Sequence, residues 1–376
     1  MGAAIFLQKI LQTLAAIKQE IQRYQRSPVQ VLRNWFTAYS REQFSAYEIR
    51  FYGLADPLDG AARLQQYVSK EMADRFYRKH NPVTAVANIE DKFRFTQLCL
   101  HNHLTTPATH GLFLNGTIRR IDEKILQTPA DLTALINTLA PGEYLLKPNN
   151  GMLGLGISVL EKQTDGSLIY QNQKLGIDDF FRNLAQTEAS LAAYKQNVAV
   201  VDQDFQGILL QSRVKNHSDI TRLTSFNMLQ TARICTHVTA DNQVEILFAF
   251  MKLAGSEGLA DAFNLGKTGN MLAEIDPASG KLRKVYAMDQ QQGYLVQADH
   301  HPITQANLLE FTVPCWQACK RLAEQVSLAF LPLRAVGWDI AITDQGPMVL
   351  EGNENWVPVV PFDLSYEKLK LYGLKR

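Results

Sequence analysis

The feature that most constrains this chain lies near its C-terminus, where Val336-Gly337-Trp338-Asp339-Ile340-Ala341-Ile342 is followed by Met348-Val349-Leu350-Glu351-Gly352-Asn353. One segment alternates and the other is an apolar run, and Thr343-Asp344-Gln345-Gly346-Pro347 between them supplies a turn, so the pattern predicts a β-hairpin. In that hairpin Asp339 stands beside Glu351, with Asn353 at the strand end. Residues two apart on a strand share a face, so Glu351 and Asn353 point the same way, and Gly352 is expected to leave room for a close ligand. Asp339, Glu351 and Asn353 are therefore candidate metal ligands. Hard oxygen donors without His or Cys suit Mg²⁺, which usually keeps waters and substrate phosphates as its other ligands. Acids at strand ends are more often simply solvated, so the weight of this reading rests on the rest of the chain.

The 38 basic and 37 acidic residues leave a net charge of +1, too little for a global field that would recruit nucleic acid. Any anion must be bound locally. A 46% hydrophobic share over 376 residues allows a sizeable core and two or three domains or one composite enzyme. Cys99, Cys235, Cys315 and Cys319 form no CxxC pair, which fits a reduced, cytoplasmic protein, with Cys315 and Cys319 expected in the core one helical turn apart. The N-terminus lacks the pattern of a secretory signal, and no apolar run approaches the roughly 20 residues needed to span a bilayer.

Residues 1–85 are expected to form a helical extension. Phe6, Ile10, Leu14, Ile17 and Ile21 recur at helical spacing, and this stripe suits docking on the body, a partner contact or a peripheral membrane contact. Further helices carry Trp35 to Tyr52 and then Leu64 to Tyr77, ending near Asn81-Pro82. Residues 86–140 open the body, 141–214 hold a glycine-rich hairpin, and 215–376 carry the predicted metal hairpin. Asp91-Lys92 starts a helix, Thr128-Pro129 starts another over 129–139, and residues 177–196 are helical. Helices mixed with strands and no long linker imply an α+β body.

Lys147 ends the apolar strand Tyr144–Pro148, and Gly151, Gly154 and Gly156 follow before a second strand at 156–160. Such a loop can bring backbone N–H groups close to phosphate oxygens while a strand-held ammonium adds fixed charge. It matches neither GxGxxG, which needs a helix after it, nor GxxxxGK[ST], because Lys147 precedes the glycines. Gly266-Lys267-Thr268 imitates the tail of the second motif, but Asp261 stands where its first Gly belongs. His101-Asn102-His103 reads as a polar turn, His300-His301-Pro302 as a solvated loop, and Lys368, Lys370, Lys375 and Arg376 as a solvated tail.

The order of these pieces resembles the ATP-grasp superfamily: Asp-Lys at a helix start, a strand lysine with a glycine hairpin, an apolar strand into a connecting segment, then Asp with Glu-x-Asn. Asp91-Lys92-Phe93-Arg94-Phe95 through Leu104-Thr105-Thr106-Pro107 looks like the entry motif of D-alanine-D-alanine ligase relatives. The helical N-terminus, Tyr47 to Tyr67, and the two hairpin segments look most like the sugar-transfer associated ATP-grasp family. That resemblance implies an ATP-grasp fold whose two α+β subdomains clamp ATP, with Mg²⁺, two ions of it, and Mn²⁺ as a substitute. It makes Lys92 and Lys147 phosphate-contacting lysines and Gly151, Gly154 and Gly156 the lid. It makes Gln211, Ser212, Arg213 and Val214 the adenine-binding hinge, with Gln211 where many relatives carry Glu. Arg233 matches a strand-borne arginine near the transferred phosphoryl group, and its planar fork suits phosphate. Arg233 and Lys147 are thus the implied catalytic pair. The 261–270 loop departs from the family's Asp-Asn-Phe then Gly-Gly pattern, so Asp261 and Asn264 stand only as candidate substrate contacts. The implied activity is ATP-dependent ligation of a small-molecule carboxylate to an amine or other nucleophile, in polysaccharide or cell-surface metabolite biosynthesis. The alternatives are a kinase acting on a sugar hydroxyl, and a nucleotide-binding scaffold without catalysis.

Overall fold

The computed structural model describes residues 2–25, 27–150, 156–197, 205–291, 294–354 and 372. The N-terminal segment is helical: α1 (Gly2–Tyr24), α2 (Pro28–Phe36) with a π turn after it, α3 (Ala46–Phe51), α4 (Gly60–Leu64), α5 (Lys70–His80) and α6 (Val83–Glu90). The continuous helix expected over Leu64–Tyr77 is broken. Ser69 takes an extended conformation and its hydroxyl accepts from the Met72 N–H, which restarts the chain as α5. Pro82 separates α5 from α6 as its ring requires.

The body begins with α7 (Lys92–His101), capped by Asp91, whose Oδ1 accepts from the Arg94 N–H at 2.9 Å. Then come β1 (Thr109–Leu114), β2 (Thr117–Arg119), β3 (Ile125–Leu126), α8 (Pro129–Thr138), β4 (Gly142–Pro148), β5 (Ser158–Lys162), β6 (Leu168–Tyr170), β7 (Gln173–Leu175), α9 (Ile177–Asn197) and β8 (Ile208–Ser212). The second half holds α10 (Ser218–Thr224), β9 (Thr231–Val238), β10 (Val244–Leu253), β11 (Met271–Ile275), β12 (Leu282–Asp289), β13 (Tyr294–Gln297), α11 (Trp316–Ala329), β14 (Ala335–Thr343) and β15 (Gly346–Asn353). Among the described residues these strands form two antiparallel sheets, β3-β2-β1-β8-β4-β5-β6-β7 and β13-β12-β11-β10-β9-β14-β15.

Period-two alternation decides what each face of the second sheet meets. Ala232, Ile234, Ala249, Met251, Trp338 and Ile340 pack with Ile89, Phe95, Cys319 and Val326 on one side. Cys235, Phe248, Phe250, Leu272 and Tyr286 pack on the other with Trp35, Met72, Phe76 and Tyr77 of the extension. The first sheet buries Tyr144, Leu146 and Leu160 against Leu135, Ile136, Phe180 and Leu184 of α8 and α9. In the extension, Ile17 is buried and Ile21 packs beside it. Leu14, expected on the same stripe, is instead 57% exposed, like Leu11 at 59%. The side chains of Phe6 and Ile10 lie outside the described residues.

Four further expectations are corrected. His301 is fully buried, its Nε2–H donating to the Ala254 carbonyl at 2.7 Å while Nδ1 accepts from the Ile303 and Thr304 N–H groups, so it orders its loop from inside. Cys319 is buried but Cys315 is exposed, at a left-handed φ of 54° before α11. A side chain on Gly352 would collide with the Trp338 ring and Ile89, so the glycine serves core packing instead of ligand approach. The predicted helix over 129–139 stops at Thr138, where the buried Lys162 ammonium donates to the Ile136, Asn137 and Leu139 carbonyls. The C-terminal lysines and Arg376 lie outside the described residues.

Side-chain hydrogen bonds tie the extension to the second sheet at Asn81 and His80. Asn81 is buried, its amide donating to the Ala335 carbonyl at 2.8 Å and its Oδ1 accepting from the Arg334 and Ala335 N–H groups. Beside it His237 Nε2 lies 3.3 Å from His80 Nδ1, and His80 Nε2 lies 3.1 Å from the Tyr372 carbonyl oxygen. A carbonyl only accepts, so His80 carries its proton on Nε2 and receives a bond from His237 Nε2–H at Nδ1. A second proton on His80 would take Nδ1 and break this chain, and one on His237 would put charge at a buried Nδ1 that has no acceptor among the described residues. Burial, then the neighbouring histidine and Arg334, push His237 down to about 4, and burial with Lys79 and Arg334 lowers His80. Because both values fall below that of an unfolded-chain histidine, near 6.5, the unfolded chain protonates first as acid is added. Stability is therefore held above pH of about 6.5 and lost as pH falls toward the folded values. Thermal melts between pH 7 and 4 should show this loss, and His237→Gln should flatten it; parallel profiles for the two proteins would contradict the assignment.

Candidate active site

Register across β10, β9, β14 and β15 sets Phe250 opposite Arg233, Arg233 opposite Asp339, and Asp339 opposite Glu351. The row lies on the face that the extension covers further along, and Thr231, Lys252 and Asn353 share that face by parity. Arg233 grips Asp339 in a fork, Nε to Oδ1 at 2.6 Å and Nη2 to Oδ2 at 2.8 Å. Lys252 Nζ donates to Asp339 Oδ2 at 2.8 Å and stands 3.2 Å from Asp261 Oδ1. Asp261 Oδ2 in turn accepts from the Thr231 N–H and hydroxyl at 2.9 and 2.6 Å. Two cations and two anions thus close on each other with little water.

Burial opposes the charges of Asp339, Arg233 and Lys252, and pairing overrides it. Asp339 is desolvated, yet Arg233 and Lys252 hold its carboxyl well below the usual range. Burial alone would lower Arg233 and Lys252, but Asp339 keeps the guanidinium firmly protonated, and Asp261 with Asp339 raises the ammonium.

The second half of the site comes from elsewhere in the chain. Lys92, first residue of α7, brings Nζ to 3.7 Å from Glu351 Oε2. Lys147, half-buried near the end of β4 in the other sheet, is pushed down to about 8 by burial and by Lys92, with Glu351 acting the other way. Lys92, Lys147 and Glu351 therefore share one electrostatic environment although they belong to α7, the first sheet and the second. Asn149 makes the joint. Its side chain accepts from the Phe93 N–H at 2.8 Å and donates to Asp91 Oδ1 at 2.9 Å, and its carbonyl accepts from the Lys92 N–H at 3.2 Å. It is 1% exposed, so the start of the glycine loop is fixed to the start of α7.

Of the other candidates, Gly151 and Gly154 lie outside the described residues. Gly156 has φ +76°, and a side chain there would strike Pro148 and Leu191. Gln211 is buried and donates to the Thr109 hydroxyl at 2.9 Å, so its side chain is spent inside the first sheet. Ser212 meets His110 at 2.9 Å, Arg213 pairs with Glu143 at 2.7 Å, and Val214 follows them out of β8. Asp261 belongs to the charged group, whereas Asn264 is exposed on a 3-10 turn. Lys252 and Asn149 were not singled out by the sequence patterns. The available signal for Lys252 was a lone ammonium in the apolar run Ile246–Leu253, two residues from Phe250.

Glu351 and Asn353 suit a divalent cation. Among the described residues Glu351, with 32% of its side-chain surface exposed, has the long contact to Lys92, and Asn353 makes one weak bond, 3.4 Å, to the Gly337 carbonyl. Asp339 does not suit it in this arrangement, because both of its oxygens serve Arg233 and Lys252. Among the described residues no group of three or more His, Cys, Asp or Glu side chains is placed to hold a metal ion.

The family model of sugar-transfer associated ATP-grasp proteins matches residues 71–373. The chain belongs to that family. The match runs from within α5 past β15, so this ATP-grasp protein carries α1 to α4 outside the matched region. None of the curated proteins matches it. Solved structures that it resembles include L-amino acid ligase from Bacillus licheniformis, at 13% identity and a TM-score of 0.36, covering 73% of this chain and 42% of that one. Biotin carboxylase from Campylobacter jejuni, in a β,γ-ATP complex, matches at 10% and 0.41, covering 78% and 47%. Carboxyaminoimidazole ribonucleotide synthase from Aspergillus clavatus, complexed with ATP, matches at 12% and 0.37, covering 77% and 52%. The chain spans about half the length of these structures.

Asn149→Ala should lower unfolding stability by roughly 1–3 kcal/mol, since it strands the buried Phe93 N–H. Urea denaturation measures this, and a change within error would mean that water replaces the amide without loss.

Proposed function

We propose that this ATP-grasp protein is an ATP-dependent ligase that activates a carboxylate as an acyl phosphate for attack by an amine or another nucleophile, releasing ADP and phosphate. The observation that carries the reading is the convergence of Lys92, Lys147 and Glu351 beside the Arg233–Asp339 row. Phosphoryl transfer asks mainly for positioning and for neutralisation of charge on non-bridging oxygens. Lys92 and Lys147 would hold the polyphosphate, Arg233 would face the transferred group, and residues 149–156 would cover the phosphates and exclude water. Glu351 and Asn353 would hold Mg²⁺, two ions when Asp339 joins them and Mn²⁺ in its place, and the bound cation would supply Lewis-acid charge. Backbone groups of 211–214 would meet adenine, with the Gln211 side chain turned away. Asp261 supports Lys252 and Thr231 in this reading, and substrate contact falls to the loop around Asn264. The family's description supports a place in polysaccharide or cell-surface metabolite biosynthesis, and the same reading puts the protein in the cytoplasm. Among the described residues no helix is long and apolar enough to cross a membrane.

Two outcomes test the reading. With Mg·ATP, hydroxylamine and a carboxylate library, the protein should yield a hydroxamate with ADP and phosphate in equal amounts and no AMP. A stable phosphorylated product would make it a kinase, and AMP with pyrophosphate would exclude an acyl phosphate. Glu351→Gln should lower turnover by about two orders of magnitude with an unchanged melting temperature; turnover at the wild-type rate would remove Glu351 from the site.

The depressed Lys147 sets the pH response. Phosphate is held by the protonated amine, so affinity for Mg·ATP should be full below pH 8 and weaken as pH rises through about 8. Calorimetry across pH 7 to 9.5 checks this. Lys147→Met should bind more weakly at pH 7 and lose the dependence, and an unchanged profile would assign the dependence to another group.

A further inference from the structure

Asp339 stands directly opposite Glu351 on the β14–β15 ladder, so a cation held by Glu351 and Asn353 lies within reach of its carboxylate. Yet Asp339 is 2% exposed and both oxygens are occupied: Oδ1 by Arg233 Nε, Oδ2 by Arg233 Nη2 and Lys252 Nζ. Lys252 is not bound to Asp339 alone. Asp261 lies 3.2 Å away, itself fixed by two bonds from Thr231, so the ammonium keeps a counter-charge if Asp339 leaves. The same face therefore holds a carboxylate shared by two cations and a lysine with a second partner ready.

We propose that Asp339 is an exchangeable ligand and Lys252 a phosphoryl-binding residue that it masks. Without nucleotide, Asp339 neutralises Arg233 and Lys252. With Mg·ATP it turns to the metal, and the guanidinium and ammonium it releases take the oxygens of the transferred phosphoryl group. The exchange moves charge within the group without changing its sum. The closed group of Arg233, Lys252, Asp339 and Asp261 is neutral, so the two negative charges of Mg·ATP are offset by Lys92 and Lys147 beside it, while Asp339 follows the metal and the two released cations face the phosphoryl oxygens. The exchange also gives order to the site, because its strongest anion grip forms only when metal and nucleotide are both present. The inference rests on the nucleotide reading above and deepens it.

The test uses the full chain, Mg²⁺ and the β,γ-imido analogue of ATP. The Arg233 Nε–H resonance, identified by its absence in Arg233→Lys, should be present and slow to exchange in the free protein. It should shift and lose protection with analogue plus Mg²⁺, and stay in place with analogue in EDTA. In calorimetry, Lys252→Met should bind Mg·ADP as the wild type does and bind the Mg·triphosphate analogue at least tenfold more weakly, with Lys252→Arg restoring most of the difference. An unmoved Arg233 resonance in a protein shown by calorimetry to bind the analogue would overturn the exchange. Equal losses for ADP and analogue would reduce Lys252 to a neutralising role. If Lys252→Met does not fold, the resonance and Lys252→Arg decide the matter: that variant must bind the analogue within a fewfold of wild type. Failure of the wild-type protein to bind the analogue at all would instead remove the nucleotide reading, and this inference with it.

Discussion

The ion pair between Arg233 and Asp339 joins β9 to β14 with the carboxylate nearly out of water and the guanidinium mostly covered, and the site is arranged around it. A buried pair of this kind stabilises only if its geometry is good and the remaining hydrogen-bonding capacity is filled, which the guanidinium fork and Lys252 accomplish. Removing one partner would leave a buried charge and cost about 3–5 kcal/mol. Register makes the pair. Once Ile234 and Ile340 face the core with Phe95 and Val326, Arg233 and Asp339 must face the other way, and a slip of one residue would bury the charges among apolar side chains.

On that other face the extension and the charged row divide the surface between them. Cys235, Phe248 and Phe250 are covered by Met72, Phe76 and Tyr77, and the charges occupy what is left. The helices before the body therefore form part of its core instead of an appendage, with Asn81 and the His80–His237 chain fixing where the cover ends. Asn149 performs the matching task on the other side. By tying the loop after β4 to the first turn of α7 it sets Lys92 and Lys147 at fixed positions relative to each other, so that two like charges are held near one carboxylate, Glu351. Holding like charges together is unfavourable without an anion, which is the physical basis for reading this corner as a phosphate site.

Local chemistry explains which parts were legible in the sequence. The β14–β15 hairpin follows from alternation and a turn, the β4–β5 pair from two apolar runs around glycines, and the starts of α7 and α8 from Asp91 and Thr128-Pro129, each signal lying within a few residues of the structure it produces. The opposition of Asp339 and Glu351 was legible for the same reason. What was not legible depends on distant partners. Nothing near Lys252 announces that Asp261 and Asp339 converge on it, nothing near His301 announces the Ala254 carbonyl, and Gly352 lacks a side chain because Trp338 and Ile89 fill the space. The ready metal triad expected from Asp339, Glu351 and Asn353 was incomplete on the same ground, since Arg233 is 106 residues from the carboxylate it engages.

If the face bearing Arg233, Asp339, Glu351 and Asn353 binds metal and nucleotide opposite Lys92 and Lys147, both ligands should be visible there in one crystal. A crystal of the full chain grown with Mn²⁺ and the β,γ-imido analogue of ATP, measured at the manganese absorption edge, tests this most directly. An anomalous peak is expected within about 2.5 Å of Glu351 and Asn353 oxygens, with the triphosphate reaching Lys92 and Lys147. Nucleotide bound elsewhere, or a metal peak away from Glu351, would contradict that reading.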